Sequence, residues 1–206
     1  MSRVRSNLDK SLLIVTLVLG TALAWKINGL RLGPAPQATL HDSVPDLVGG
    51  SILVGRGPKS VVIFSDYECL ACRLLEARID SLAPNVRPLI RVRHVPGPNR
   101  LRARDAAKAA ECAAEQNRFH PFHDLIFDSQ DTLATVSWIS LAVQAGIADT
   151  TRFAMCLGSD SPRTRVARDK LAGQQAGITS TPSIIADRKV HVGAVSARTL
   201  KTIMER

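Results

Sequence analysis

The segment Phe64–Cys72, "FSDYECLAC", closes an apolar run with an acidic turn and two cysteines separated by two residues. It decides the fold because the hydrophobic period changes across it. Upstream, "SVVIFS" (Ser60 to Ser65) is β-branched, apolar and continuous, the pattern of a strand covered on both faces. Downstream, "RLLEARIDSLAP" has helical spacing and stops before Pro84. Cys72, Leu75, Ile79 and Leu82 fall on one stripe of that helix, which turns Cys72 toward the core and leaves Cys69 at the exposed tip. A CxxC at such a junction has a chemical rationale. The first Cys meets the free N–H groups and macrodipole of the helix N-terminus, which favour its thiolate. The second lies one turn on, near enough to close a disulfide. An accessible attacker and a shielded resolver are what thiol–disulfide exchange requires.

Working outward, Ser51 to Val54 reads as a short strand ending at a Gly55–Pro58 turn. "VRPLIRVRHV" alternates Ile90 and Val92 with Arg91 and Arg93 and reads as a strand. Strand–helix–strand with a short helix implies a right-handed crossover and a parallel pair. From about 101 to 177 the pattern is wholly helical. "PSIIAD" and "KVHVG" then form a hairpin around Asp187-Arg188, and "SARTLKTIME" is a last helix with Ser196 as its N-cap. The order β-β-α-β, helical block, β-β-α defines an α/β domain over 51–206.

The N-terminus is organised differently. Residues 1–10 are polar and basic, Ser11 to Trp25 carry no charge, and Lys26 closes the run. Residues 11–27 are expected to form a transmembrane signal-anchor, lengthened toward Leu32 with Lys26 snorkelling. Arg3, Arg5 and Lys10 hold the first end in the cytoplasm, so the domain faces the extracytoplasmic side. The alternative is a signal peptide cleaved near Ala24, since Ala22-Leu23-Ala24 has the small-x-small pattern. Both readings export the domain to the cell envelope, tethered to the inner membrane or secreted. Residues 28–50, with "GPAP" and "HDSVPDLVGG", read as a Pro/Gly-rich linker. Of the formal charge of +9, +3 lies in residues 1–30 and +6 in the rest. With aromatics at 4% and no basic run interleaved with them, the charge reads as a solvated surface, not a nucleic-acid site.

Other chemistries fit less well. Zinc ribbons need a second CxxC, which is missing, although Cys112, Cys156 and the pair His120 and His123 could complete a set in space. The simpler reading of the histidines is an ordinary, partly buried helix face. "GRGPKS" (Gly55 to Ser60) echoes a phosphate loop without its full spacing. Cys112 and Cys156 each stand alone within a helix. Export leaves open a second disulfide between them or two buried free thiols.

With these elements in order, the chain resembles the exported thioredoxin-fold proteins of the DsbA type (DsbA/BdbD-like). The resemblance rests on "FSDYECLAC", "AAKAAECAAEQNRFHPFHDLIF" (Ala106 to Phe127) and "GITSTPSIIADRKVHVGAVS" (Gly177 to Ser196), and spans about 51–206. It implies a thioredoxin-like fold with a helical insertion at about 101–177. Cys69 and Cys72 become the redox centre, and Thr181-Pro182 the cis-proline loop facing it, where Pro removes an N–H beside the sulfurs. The Thr181 backbone would pair with an extended substrate segment. The implied activity is thiol:disulfide exchange on exported proteins with Cys thiols, in the oxidase direction, with reoxidation by a quinone-linked membrane partner and no cofactor. The chain also departs from the pattern. Ile63 stands where a buried Asp or Glu usually relays protons, and Leu70-Ala71 replaces a more familiar Pro-x pair. Glu68 opposes ionisation of Cys69 whereas Arg73 and the helix terminus favour it. The alternatives are a reductase or isomerase, or a tethered thioredoxin-like binding module whose cysteines do not turn over.

Overall fold

Strand β3 (Ser60–Ser65) is the middle of the sheet, and its side chains alternate between two apolar layers. The computed structural model describes residues 37–39, 52–54, 60–82 and 89–205. The expected cytoplasmic segment 1–10, the span 11–27 and the Gly55–Pro58 turn lie outside them. Among the described residues no helix is long and apolar enough to cross a membrane.

β3 pairs in parallel with β4 (Leu89–His94) and antiparallel with β5 (Ser183–Ala186). β5 turns into β6 (Lys189–Val192) through Asp187 and Arg188, both with positive φ (48° and 61°), as a two-residue hairpin requires. With β2 (Ile52–Val54) beside β4 and β1 (Gln37–Thr39) beside β6, the order is β1-β6-β5-β3-β4-β2. β1 corrects the reading of 28–50 as linker throughout. Gln37, Ala38 and Thr39 pair antiparallel with His191, Val190 and Lys189. Three residues are too few to show a period, and the strand is specified by the open edge of β6 rather than by its own sequence.

Val61 and Ile63 point to the larger layer, where α1 (Leu70–Asp80) buries Cys72, Leu75 and Ile79, and α7 (Ala197–Glu205) buries Leu200, Ile203 and Met204. Each such aliphatic side chain, removed from water, contributes about 1.5–3 kcal/mol. Ser196 caps α7, its hydroxyl accepting from Thr199 N–H at 3.1 Å. Val62 and Phe64 point the other way, onto Ile185, Val190 and Ala176.

The helical insertion comprises α2 (Leu101–Ala114), α3 (Phe119–Asp128), a single 3-10 turn (Gln130–Thr132), α4 (Trp138–Gln144), α5 (Thr150–Gly158) and α6 (Ser161–Gln175). A buried alanine face on α2, including Ala103, Ala106, Ala110 and Ala113, lets its neighbours approach closely; Phe122 and Phe153 fill the space beside it. α6 joins the two layers. Val166 packs in the larger layer, whereas a Cβ on Gly173 would meet Phe64 and Val95 at 3.3 Å, so only glycine fits without displacing them. Cys112 and Cys156 are joined as a disulfide, S–S 2.00 Å, linking α2 to α5 across 44 residues. Closing a loop of that size restrains the unfolded chain by about 4 kcal/mol in the chain-entropy treatment. Replacing both by alanine is expected to lower unfolding stability by about 2–4 kcal/mol in urea titration. A change below about 0.5 kcal/mol would show that the crosslink restrains nothing.

Candidate active site

β3 delivers the site by ending in a buried turn. After Ser65 the chain runs Asp66-Tyr67-Glu68, and Cys69 is the N-cap of α1, its backbone extended (φ −97°, ψ 114°). The turn closes through Cys69 N–H donating to Asp66 O at 3.0 Å, and Arg73 N–H donates to Cys69 O at 3.2 Å. Cys69 and Cys72 are both free thiols. Cys72 is fully buried. Cys69 is only 8% exposed, which corrects the expectation of an exposed tip. The cause is the loop before β5. The Thr181-Pro182 peptide is cis, and Cys69 Sγ donates to Thr181 O at 3.4 Å across a sequence gap of 112 residues. Cys69, Cys72 and Thr181 therefore form one group, with buried Pro182 beside it and Pro182 O occupied by Gly193 N–H at 2.7 Å.

The two sulfurs are driven apart in acidity. Cys69 is lowered from 9.0 to about 5, chiefly by a hydrogen bond from the Cys72 thiol. Burial opposes this, but the backbone N–H groups of Cys72 and Ala71 at the helix N-terminus, with a hydrogen bond from the Thr181 side chain, prevail. Cys72 is raised, first by its bond to Cys69, then by burial and the Cys69 charge; the Asp66 backbone and Ser65 hydroxyl only partly offset them. Behind the pair, Ile63 is buried and contributes no proton acceptor.

Several contributors were not visible in the sequence. Asp66 is a buried hub: Oδ1 accepts from Glu68 N–H at 2.8 Å, and Oδ2 from Gly97 N–H at 3.0 Å and from Arg100 at 3.2 Å. Burial pushes the Arg100 guanidinium down, but the charges of Asp66 and Cys69 overcome this and raise it. Arg100 is thus a cation of the site. Gln130 Nε2 donates to Tyr67 O at 2.8 Å and to Cys69 O at 3.1 Å, holding the turn from the insertion. No periodicity marks either residue; only the folded chain brings them to Cys69. The two charges weighed from sequence are both engaged elsewhere. Glu68 Oε2 accepts from Ala103 N–H at the start of α2 (2.8 Å), and Arg73 pairs with Asp131 at 2.9 Å.

His120 and His123 diverge. His120 is exposed, 3.4 Å from Asp124, whereas His123 is buried, its Nδ1 2.8 Å from Tyr67 Oη and its Nε2 3.5 Å from Glu76. Burial, with Glu76, Glu111 and Asp124 nearby, holds the Tyr67 phenol protonated well above its usual range. Among the described residues, His94, Glu111 and Asp169 are the group whose ligand atoms could hold a metal, lying within 4.8 Å of one another. Their carboxylates already accept from Arg165 (2.6 Å) and Arg93 (3.0 Å), and Asp169 also from His94 N–H (3.0 Å). That group is a buried ionic tie between β4, α2 and α6.

A family model described as Thioredoxin matches residues 49–206. Among solved structures, a thioredoxin-like oxidoreductase from Silicibacter pomeroyi DSS-3 superposes with TM-score 0.62 at 24% identity, covering 77% of this chain and 92% of its own. Oxidised BdbD from Bacillus subtilis gives TM-score 0.65 at 19% identity (84% and 97%). The thiol-disulfide exchange protein α-DsbA2 from Wolbachia pipientis gives 0.64 at 19% (79% and 88%). A curated relative, the Na(+)/H(+) antiporter NhaA of Herminiimonas arsenicoxydans, is 30% identical over 201 residues, 93% of this chain and 32% of that protein. The chain spans about a third of the length of that relative.

The acidity of Cys69 sets the pH behaviour. Its folded value near 5 lies below the ordinary 9.0, so the reduced protein gains stability over the oxidised one as pH rises from about 5 toward 9 and loses it as pH falls through 5. Cys72, raised, opposes this only above 9. Iodoacetamide labelling of the reduced protein should follow a midpoint near about 5. Arg100→Met should move that midpoint up by about 0.5–1 unit. An unmoved midpoint would mean that Arg100 acts on Asp66 alone.

Proposed function

The chain belongs to the thioredoxin family, and we propose that within it this protein is an extracytoplasmic thiol:disulfide oxidoreductase of the DsbA type, working as an oxidase. The observation that carries this is the split between the sulfurs, Cys69 near 5 at a helix N-terminus and Cys72 buried and held protonated. A low-pKa first cysteine is a good leaving group and stabilises the reduced form, which makes the disulfide oxidising.

In the oxidase direction a client thiolate attacks Cys69 Sγ of the Cys69–Cys72 disulfide. The S–S bond breaks, Cys72 leaves with the electron pair and takes a proton, and a mixed disulfide joins the client to Cys69. A second client thiolate then attacks the client sulfur of that bond, and Cys69 departs as thiolate. The client dithiol has lost two electrons and two protons; the protein has gained the two electrons and, on Cys72, one proton, and the other proton goes to solvent. The buried position of Cys72 disfavours its thiolate, which slows its rebound on Cys69 and favours release of oxidised client. A quinone-linked membrane partner is the proposed oxidant that restores the disulfide. The uncharged run Ser11 to Trp25 supports an anchored domain on the outer side of the inner membrane. The antiporter name belongs to the curated relative as a whole protein, of which this chain matches about a third.

Trapping with Cys72→Ala tests the reading. Mixed disulfides with exported proteins through Cys69, absent when Cys69 is also alanine, are expected. If none form where a DsbA-type control is trapped, the domain is a binding module and not an enzyme.

A further inference from the structure

Between α2 and α6 lies a groove of about 400 Å³ that the redox chemistry does not use. Each helix lines it with residues at i, i+3, i+4 and i+7, counted from Leu101 on α2 and from Arg163 on α6. Its apolar lining is Leu101, Val166, Ala167 and Pro96, and Leu101 is 66% exposed. The rest of the lining is charged: Arg104, Lys108, Arg163 and Lys170, with Asp105 among them. Lys108 pairs with Asp105 at 3.0 Å and Arg163 with Asp160 at 2.8 Å, whereas Arg104 donates to the neutral Pro98 carbonyl. Four cations against two carboxylates leave a positive excess along an apolar channel.

The position of the groove connects it to the sulfurs. The first turn of α2 is pinned to the turn that carries Cys69 by two contacts, Arg100 on Asp66 at 3.2 Å and Ala103 N–H on Glu68 at 2.8 Å. Leu101 lies in sequence between those pins, so the groove starts on the turn of α2 that is held to the Cys69 turn. Its eight-residue run of helix is about 10 Å long, room for about three residues of extended chain.

We propose that this groove docks the client: it takes an extended apolar segment bearing acidic residues, located next to the client cysteine that reacts with Cys69. The inference rests on the oxidoreductase reading and names the substrate class of that site. The acids complement the cationic lining, the apolar side chains cover Leu101 and Val166, and a segment tethered through the reacting cysteine binds at high effective concentration. The chain's own first 36 residues hold five cations and one acid, so like charge disfavours them as occupants.

The test uses the oxidised full chain and two single-cysteine peptides, identical except that an apolar segment after the cysteine is flanked by Glu in one and Lys in the other. Each rate of mixed-disulfide formation is divided by that peptide's rate with 2-hydroxyethyl disulfide, which removes differences in thiol ionisation. The Glu peptide is expected to be favoured about tenfold at low salt and about twofold at 0.5 M salt. The double variant Arg163→Glu/Lys170→Glu should bring the ratio below one, and Leu101→Ser should slow both peptides without changing it. Because each variant reports a ratio, a general loss of reactivity does not hide the answer. A wild-type ratio near one, or a ratio indifferent to the charge reversal, overturns the proposal while leaving the chemistry standing. No reaction with either peptide or with dithiothreitol overturns the oxidoreductase reading itself.

Discussion

The thiolate of Cys69, held by the Cys72 thiol and the first N–H groups of α1, is the interaction on which the rest of the site depends. Burial alone would raise a thiol's pKa, and Cys69 is 92% covered, so the donors must outweigh a real desolvation cost. They do so because the strand ends where the helix begins. β3 stops at Ser65, three residues turn the chain, and the sulfur arrives at the end of α1 where unpaired N–H groups face it. Cys72, one turn along the same helix, both donates to that sulfur and is shielded by the core stripe of Leu75 and Ile79.

The geometry is maintained from outside the strand–helix unit. Gln130 fixes the carbonyls of Tyr67 and Cys69 from the 3-10 turn, Glu68 ties the turn to the first residues of α2, and Asp66 gathers Gly97 and Arg100. The helical insertion is therefore part of the active-site scaffold. It is held together by the Ala-rich face of α2, the Cys112–Cys156 crosslink and the half-buried Arg165–Glu111 pair, and is tied to β4 by the buried Arg93–Asp169 pair. A buried pair of this kind is costly to break, since removing one partner strands a charge in the core.

What the sequence disclosed follows a physical division. Local periodicity carried the β3–α1 junction, the stripe that buries Cys72, the β5–β6 hairpin and the Ser196 cap, because each depends on residues within one turn or strand of one another. Features made by distant residues were hidden. β1 depends on the open edge of β6, the covering of Cys69 depends on Thr181, and the pairing of Arg73 with Asp131 spans 58 residues. That last pairing also changes the electrostatics expected of the motif: Arg73 is engaged by an acid, and Arg100 is the cation that senses the sulfur. The basic balance of the composition was visible from the start, but its concentration along the α2–α6 groove required the two helices to be placed side by side.

The central claim is that the Cys69 thiolate is stabilised enough to make the Cys69–Cys72 disulfide a strong oxidant. Equilibration of the purified domain with reduced and oxidised glutathione at pH 7 measures this directly. The account predicts a reduction potential well above that of thioredoxin, in the range from about −200 to about −120 mV. A value near about −270 mV would contradict it and make the protein a reductase.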